Sequence, residues 1–278
     1  MRARVRGYLP EDFSAPEYQS SSDNFHCSEM LAYDWNVRDA RRDLLAASPQ
    51  QVLKRLGFTL MTGNHVNETQ ADFRDRAYAD ACAAVQSLFP NDRNELFADP
   101  RYITVRRSSE GQVVPCLHAD YSRSAEEYWR TLACFTSIEN ADTWKRGFAR
   151  AEVQSYQVFN VWRLLQPDYE DYMPLGLVGR DSVHQEDIVL GRENLPGSPD
   201  GQASTFLRLR YSSRHDWSYF SRMQDNELIV FQSFELSKDG TTTAQPGCFH
   251  AALDNSAASI AQASRVSCEY RIGVYIFA

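Results

Sequence analysis

The sequence lacks a long apolar run. No stretch of the 278 residues approaches the roughly 18 consecutive apolar residues that a membrane-spanning helix requires. The first ten residues carry Arg2, Arg4 and Arg6 and contain no apolar core of the kind found in secretory signal peptides. We therefore expect no membrane partner and a cytoplasmic location.

Clusters of basic residues are also missing. Lys and Arg number 29 against 37 Asp and Glu, which gives a net charge of -8 at pH 7. Without a basic patch that could follow a phosphate backbone, the sequence gives little support to nucleic-acid binding. We expect a small-molecule substrate instead, and the prediction allows for a homodimer.

Paired cysteines are absent as well. The six cysteines are scattered, and none forms a CxxC motif. In a chain far larger than a disulfide scaffold, this pattern is typical of reduced thiols.

What the chain does have is enough apolar residues for a large core. Hydrophobic residues make up 43% of it and aromatic residues 12%, so residues 1–278 are expected to fold as a single domain. Polar, turn-forming stretches in residues 1–39 predict an arm or loop. The rest of residues 1–100 is expected to be rich in helices, with helical signals over residues 49–56 and 69–89.

From Tyr102 the pattern changes to strands. Residues 102–107 and 113–120 flank a turn and predict a hairpin, and six further strands are predicted up to residue 277. A helical insertion is predicted at about residues 124–150. Helices followed by many strands, without regular alternation, indicate an α+β chain whose residues 101–278 close into a barrel or sandwich.

His118 and Asp120 stand two residues apart in a predicted strand. Their side chains then share one face, about 6.6 to 7 Å apart along the strand. They can converge on one cation if a neighbouring strand supplies a third ligand, and His250 is the best candidate because its segment is apolar enough to be buried. Two histidines and one carboxylate form the facial arrangement that leaves three positions open on a ferrous ion.

Two other interpretations of these residues stay open. An HxD triplet is short, and a lone histidine on a strand is more often a hydrogen-bonded structural residue. Cys116 shares the predicted face of His118, and Cys248 shares that of His250, which would suit a zinc site with thiolate ligands. Isolated cysteines are equally well explained as small buried side chains.

The last predicted strand carries a polar row. Arg265, Ser267, Glu269 and Arg271 alternate with apolar residues, as they would in any strand with one face in water. However, Arg265 lies 15 residues after His250, and a guanidinium and a hydroxyl two residues apart can clamp a carboxylate. Arg265 and Ser267 are therefore predicted to hold a dicarboxylate cosubstrate.

Six short motifs follow one another along the chain. They are His118-Ala119-Asp120-Tyr121-Ser122, Asn160-Val161-Trp162-Arg163, Arg180-Asp181-Ser182-Val183, His215-Asp216-Trp217-Ser218-Tyr219-Phe220, Phe249-His250-Ala251-Ala252 and Arg265-Val266-Ser267-Cys268-Glu269-Tyr270-Arg271. Taken in this order, they resemble the cephem-methoxylase-related hydroxylase/desaturase family, whose members are non-haem iron, 2-oxoglutarate-dependent oxygenases frequent in fungal and bacterial secondary metabolism. The resemblance covers roughly residues 102–277.

The resemblance implies a double-stranded β-helix, a cupin-like jelly-roll barrel, with Fe(II) bound by His118, Asp120 and His250. It also implies that Arg265 with Ser267 holds the distal carboxylate of 2-oxoglutarate, and that O2 is consumed while a small molecule is hydroxylated, desaturated or cyclised.

Five further residues are predicted to contact the substrate. Asn160 and Trp162 alternate with Val161 and Arg163, so only one pair can face the barrel interior. Asn160 is predicted as a polar pocket residue and Arg163 as a binder of a substrate carboxylate. Aromatic residues that would line an apolar pocket include Tyr121, Trp162 and Trp217.

Other activities remain open from the sequence. An iron oxidase that does not use 2-oxoglutarate could employ Arg265 and Ser267 to hold its substrate. A cupin-like barrel without catalytic activity could bind small molecules, and a zinc hydrolase would need no oxygen.

Overall fold

The structure is a computed structural model that describes residues 1–15, 17–20, 30–90, 93–98, 103–193, 203–239, 247–255, 257–258 and 264–278. Within these ranges the chain forms fifteen strands and five α-helices. The helices are α1 (Arg41–Leu44), α2 (Pro49–Leu56), α3 (Phe73–Ser87), α4 (Ala125–Phe135) and α5 (Ile138–Ala149). The strands are β1 (Arg2–Tyr8), β2 (Glu17–Ser20), β3 (Leu31–Asn36), β4 (Arg38–Asp39), β5 (Phe58–Thr62), β6 (Asn94–Phe97), β7 (Thr104–Arg107), β8 (Val153–Leu164), β9 (Leu175–Val178), β10 (Ile188–Glu193), β11 (Ser204–Leu209), β12 (Trp217–Tyr219), β13 (Glu227–Ser237), β14 (His250–Ala252) and β15 (Val266–Phe277).

Helix α2 shows how local signals fix an element. Ser48 accepts a hydrogen bond from the Gln51 backbone while the Gln51 side chain accepts one from Ser48, which forms a capping box. Pro49 occupies the first helical turn, and Gly57 ends the helix with φ 86°. This left-handed backbone conformation favours glycine. The predicted bounds of this helix are confirmed.

The larger sheet has the strand order β5-β13-β8-β15-β6, and β7 pairs with the first residues of β15. All of its pairings are antiparallel. Apolar residues on its outer face pack against α3, among them Val161, Val230 and Ile272 against Ala77 and Ala81. The opposite face of this sheet is therefore left to build the interior.

The facing sheet consists of two pieces and a linking segment. One piece has the order β14-β9-β12-β4 and the other β11-β10-β2. Bridges between His118 and His250 and between Ala119 and Leu207 join β14 to β11 through the HxD segment. Trp162 and Phe231 of the larger sheet pack with Leu177 and Cys248 of this sheet in one buried cluster. The two sheets thus enclose a common interior, as in a jelly roll.

Two sequence expectations about the chain path are wrong. Residues 1–39 are not an arm or loop throughout, because β1 pairs with β3 and buries Val5 and Tyr8. Residues 113–120 do not form a hairpin with β7: that strand pairs with β15, and the HxD segment makes bridges to β14 and β11. In both cases long-range pairing decides the structure.

The cysteines differ from the expectation at one position. Cys82, Cys134, Cys248 and Cys268 are free, whereas Cys116 is disulfide-bonded, with a partner outside the described residues. The expectation of reduced thiols is therefore wrong for Cys116. Disulfides are rare in cytosolic proteins, so the cytoplasmic location stays a prediction. None of the helices in the described ranges has the length and apolarity needed to cross a bilayer.

Candidate metal centre

Three side chains from distant parts of the chain meet at one point between the sheets. His118, Asp120 and His250 each offer one ligand atom, and these atoms lie within 4.8 Å of one another. His118 Nε2 is 3.8 Å from Asp120 Oδ1. Asp120 and His250 are buried, and the His118 side chain is 13% exposed. A divalent cation placed among them would have two nitrogen ligands and one oxygen ligand.

The backbone fixes the two histidines to each other. The His118 amide donates to the His250 carbonyl at 3.1 Å, and the His250 amide donates to the His118 carbonyl at 2.9 Å. Their ring centroids are 4.4 Å apart. Because both residues belong to the same antiparallel bridge, the spacing of the two imidazoles is set by main-chain hydrogen bonds.

Each imidazole has one nitrogen occupied in the same way. His118 Nδ1 lies 2.7 Å from the Cys116 carbonyl oxygen, and His250 Nδ1 lies 3.1 Å from the Cys248 carbonyl oxygen. A carbonyl only accepts, so Nδ1 carries the proton and Nε2 keeps a lone pair for a metal. Burial, reinforced by the nearby His250, lowers the pKa of His118 well below its ordinary value, which keeps this ring neutral.

Asp120 is held at both carboxylate oxygens. Arg271 Nη2 donates to Oδ1 at 3.0 Å, and Ser233 Oγ donates to Oδ2 at 3.3 Å. Burial opposes ionisation of Asp120, but the charge of the Arg271 guanidinium and its hydrogen bond outweigh burial and lower the Asp120 pKa. The carboxylate is therefore ionised at neutral pH and presents a fixed oxygen to the histidines.

A cavity of about 150 Å³ adjoins the three residues. Its walls combine aromatic and aliphatic side chains with several charged ones. They comprise Thr104, Arg106, Val114, His118, Asp120, Thr131, Phe135, Trp162, Leu175, Glu193, Ser204, Thr205, Phe206, Phe231, His250, Ala252, Arg265, Glu269 and Arg271.

Arg265, the residue directly before β15, enters this cavity. It is 3% exposed, and its guanidinium lies 5.2 Å from the Trp162 ring centroid and donates to the Met173 carbonyl. Burial lowers the Arg265 pKa to about 10, which still leaves it charged at neutral pH. Arg265 Nε and Ser267 Oγ are buried and have no hydrogen-bond partner among the described residues. These are two free donors on the same strand face, where the sequence predicted a carboxylate clamp.

The five predicted substrate residues divide into two groups. Trp162 lines the cavity. Asn160 lies behind it, fully buried, with Nδ2 3.5 Å from Glu269 Oε2 and an Oδ1 that has no partner in the described ranges. The alternation in β8 therefore turns Asn160 and Trp162 inward.

The other three lie outside the described cavity lining, and the reason is packing. Arg163 faces the opposite side of β8, where Nη1 donates to Asp80 Oδ2 at 2.9 Å. Trp217 donates to the Tyr8 hydroxyl at 2.9 Å within a core cluster, and Tyr121 packs edge-on against Tyr128, with ring centroids 4.9 Å apart. The expectation that Arg163, Trp217 and Tyr121 line the pocket is corrected by these positions.

The thiolate alternative has no geometric support among the described residues. Neither cysteine belongs to the cluster of potential ligands. Cys116 is in a disulfide, and burial raises the Cys248 pKa to about 12, so Cys248 stays a thiol. The two cysteines contribute backbone carbonyls to the histidines rather than sulfur to a metal.

Arg271, Glu269 and Glu193 all line the cavity, although none of them was predicted as a site residue. A signal existed for the first two, because they continue the polar row of Arg265 and Ser267 along β15. For Glu193 there was none, since residues 188–193 were not predicted to form a strand.

The chain is similar to known proteins in sequence and in structure. Residues 10–275 match a family described as oxidoreductase/YMDC permease-like domain. No curated protein matches the chain. The iron and alpha-ketoglutarate-dependent endoperoxidase NvfI aligns with a TM-score of 0.69 and 18% sequence identity, covering 100% of this chain and 98% of that one. The same enzyme in a different conformation gives 0.70 and 17%, with the same coverage. The shared fold confirms the predicted α+β jelly-roll class.

Proposed function

The chain belongs to the oxidoreductase/YMDC permease-like domain family, and from this premise we propose that it is an Fe(II)- and 2-oxoglutarate-dependent dioxygenase. It hydroxylates, desaturates or oxidatively cyclises a small molecule, in secondary-metabolite biosynthesis. One observation carries the proposal: His118, Asp120 and His250 converge within 4.8 Å. Among Fe(II)- and 2-oxoglutarate-dependent oxygenases, the order of the motifs favours the cephem-methoxylase-related hydroxylase/desaturase family.

The residues fit a ferrous ion. Two neutral imidazoles and one ionised carboxylate are the ligands of the facial triad, which leaves three coordination positions free. The Nδ1 hydrogen bonds orient both Nε2 atoms, and Ser233 occupies the second oxygen of Asp120. This supports His118, Asp120 and His250 as the iron ligands.

The residues also fit 2-oxoglutarate. A buried guanidinium in a cavity is costly unless an anion accompanies it, and Arg265 Nε and Ser267 Oγ are both without partners in the described ranges. A carboxylate there would accept hydrogen bonds from both side chains, with the charge assistance that strengthens such bonds. Trp162 provides a flat wall beside Arg265.

Iron with its cosubstrate and O2 supplies the oxidising power, and the protein binds, orients and excludes water. Arg265 and Ser267 fix the cosubstrate, while Trp162 and Phe231 shield the cavity from solvent. Asn160 serves as a polar pocket residue through its contact with Glu269, which lines the cavity. We assign Arg163, Tyr121 and Trp217 to the stability of the fold instead. Residues 1–278 act together as one oxygenase domain.

The experiment is an anaerobic titration of apoprotein with Fe(II) and then with 2-oxoglutarate. A weak visible charge-transfer band is expected, and Asp120→Ala should abolish it. If folded protein gives no band at saturating concentrations, the cosubstrate assignment is wrong. Substrate oxidation without succinate would identify the 2-oxoglutarate-independent oxidase, and tight ligand binding that survives iron removal and His118→Ala would identify the non-catalytic binding protein.

A further inference from the structure

The cavity wall contains a carboxyl group to which no described residue donates a hydrogen bond. Glu193 ends β10, where Val189, Gly191 and Glu193 are the buried positions, and it is only 7% exposed. Its backbone carbonyl accepts from Ser204 Oγ at 3.3 Å, but no donor from the described residues reaches its side chain. Glu193 lines the same cavity as the candidate metal centre.

Arg208 is the cation that interacts with Glu193 electrostatically, but its hydrogen bond goes to another group. Arg208 Nη1 donates to the Leu117 carbonyl at 2.6 Å, and its guanidinium lies 4.7 Å from the Phe206 ring centroid. Burial raises the pKa of Glu193, and Arg208 offsets this only in part. Buried carboxyl groups in folded proteins normally accept hydrogen bonds, which offset the cost of desolvation. A buried carboxyl group without one is typical of a group that binds a ligand.

The neighbouring strand determines what else shares the face of Glu193. Thr205 of β11 lines the cavity but pairs with Arg192, whereas Glu193 pairs with Ser204. Because successive residues of a strand point to opposite faces, the Thr205 hydroxyl lies on the other side of this strand pair. Phe206 pairs with Gly191 and therefore shares the face of Glu193.

An aromatic wall adjoins the Glu193 carboxyl. A Cβ atom on Gly191 would lie 2.3 Å from the Phe206 ring, so the absence of a side chain there leaves space for this ring. Phe206 lines the cavity together with Phe135 and Phe231. A ligand at this wall would meet flat apolar surfaces and the Glu193 carboxyl as a hydrogen-bond acceptor.

This wall is separate from the carboxylate clamp. Glu193 belongs to the β11-β10-β2 piece, whereas Ser267 lies on β15 of the larger sheet and Arg265 directly precedes that strand. An acidic side chain also repels a dicarboxylate. The cosubstrate and the partner of Glu193 must therefore be different molecules.

We propose that the Glu193 carboxyl forms a subsite that binds a hydroxyl or ammonium group carried by the organic substrate, next to an apolar or aromatic portion that packs on Phe206. The proposal rests on the proposed function, because it is the metal centre in the same cavity that would oxidise this substrate. It makes Glu193 a specificity-determining residue.

The test measures fragment binding to protein loaded with Zn(II) and 2-oxoglutarate, which cannot turn over. Benzyl alcohol, benzylamine, toluene and benzoate are titrated by ligand-observed NMR. One hydrogen bond to the subsite should make the alcohol or the amine bind about fivefold or more tightly than toluene. Benzoate should bind worst. The stronger of the two donor fragments identifies the group recognised.

Variants assign the preference to Glu193. Glu193→Leu should remove the advantage of both donor fragments over toluene, and Glu193→Gln should remove that of benzylamine while it keeps that of benzyl alcohol. Glu126→Gln, at an exposed carboxylate on α4, is the control and should behave as wild type. Equal binding of toluene and both donor fragments, or an unchanged preference in Glu193→Leu, overturns the subsite.

The charge-transfer titration separates this failure from failure of the proposed function. A normal band with Fe(II) and 2-oxoglutarate, without fragment preference, overturns only the Glu193 subsite. A fragment preference without the band overturns the dioxygenase assignment and leaves a donor-binding cavity.

Discussion

Arg271 donates a 3.0 Å hydrogen bond to Asp120 Oδ1, the same oxygen that lies 3.8 Å from His118 Nε2. The guanidinium and the candidate metal position therefore share one carboxylate oxygen. With Ser233 on Oδ2, Asp120 has no freedom to turn its second oxygen toward a metal. We infer that Arg271 positions Asp120 as a ligand through one oxygen.

Arg271→Met should weaken metal binding by about 10- to 100-fold, the range seen when groups that orient a ligand are removed. Without the guanidinium the pKa of the buried carboxyl rises, so protons compete with the metal at a higher pH than in wild type. Co(II) titrations between pH 5.5 and 8 measure both effects. Arg2→Met, at an exposed arginine, should leave the affinity unchanged; equal Co(II) affinity in Arg271→Met and wild type would show that Arg271 has no such role.

Arg265→Ala should separate cosubstrate binding from metal binding. A charge-assisted hydrogen bond contributes about 1.5–3 kcal/mol, so the 2-oxoglutarate concentration that gives half of the charge-transfer band should rise by about 10- to 100-fold. The Co(II) affinity should not change, because Arg265 does not contact His118, Asp120 or His250. Ser267→Ala should shift the same midpoint less. An unchanged midpoint in both variants would refute the carboxylate clamp.

Arg163→Met should destabilise the protein without altering the cavity. Arg163 and Asp80 are 2% and 6% exposed in their side chains, and removal of one partner from a buried pair costs about 3–5 kcal/mol. Urea unfolding measures this loss, and the band midpoint for 2-oxoglutarate measured below the transition serves as the control. A stable variant with a changed substrate KM would return Arg163 to the substrate-binding role predicted from the sequence.

The contribution of Glu193 to the stability of the unliganded protein should decrease as the pH rises above about 4.5, the ordinary pKa of a glutamate. Its folded pKa is raised, so the folded state holds this proton more tightly than the unfolded state and loses the advantage as the pH increases. Glu193→Gln should remove this slope and be the more stable protein at pH 8. Thermal unfolding from pH 5 to 8, with Glu126→Gln for comparison, tests the sign; a parallel profile for Glu193→Gln would contradict it.

Local patterns predict those features that depend on neighbours in the chain. The capping box and Gly57 give α2 its bounds, and the period-two alternation of β8 places Asn160 and Trp162 on one face. The HxD spacing likewise brings His118 and Asp120 together. Each of these features needs only the geometry of one element.

Tertiary pairing decides the rest. Trp217 stands in a motif that suggested a pocket, yet the hydroxyl of Tyr8, more than 200 residues away, fixes its indole in the core. Arg163 binds a carboxylate as predicted, but that of Asp80 within the protein. A sequence pattern gives a residue's chemistry, and only the packing of distant elements determines which partner satisfies it.

The polar row of β15 has a consequence for how this chain tolerates change. Arg265, Ser267, Glu269 and Arg271 lie on one side of a single backbone, while Val266, Cys268 and Tyr270 pack in the cluster formed with α3. Inserting or deleting one residue just before Arg265 would reverse the two sides together. The strand can therefore accept single substitutions, whereas a one-residue shift of its register would turn the whole polar row away from the cavity.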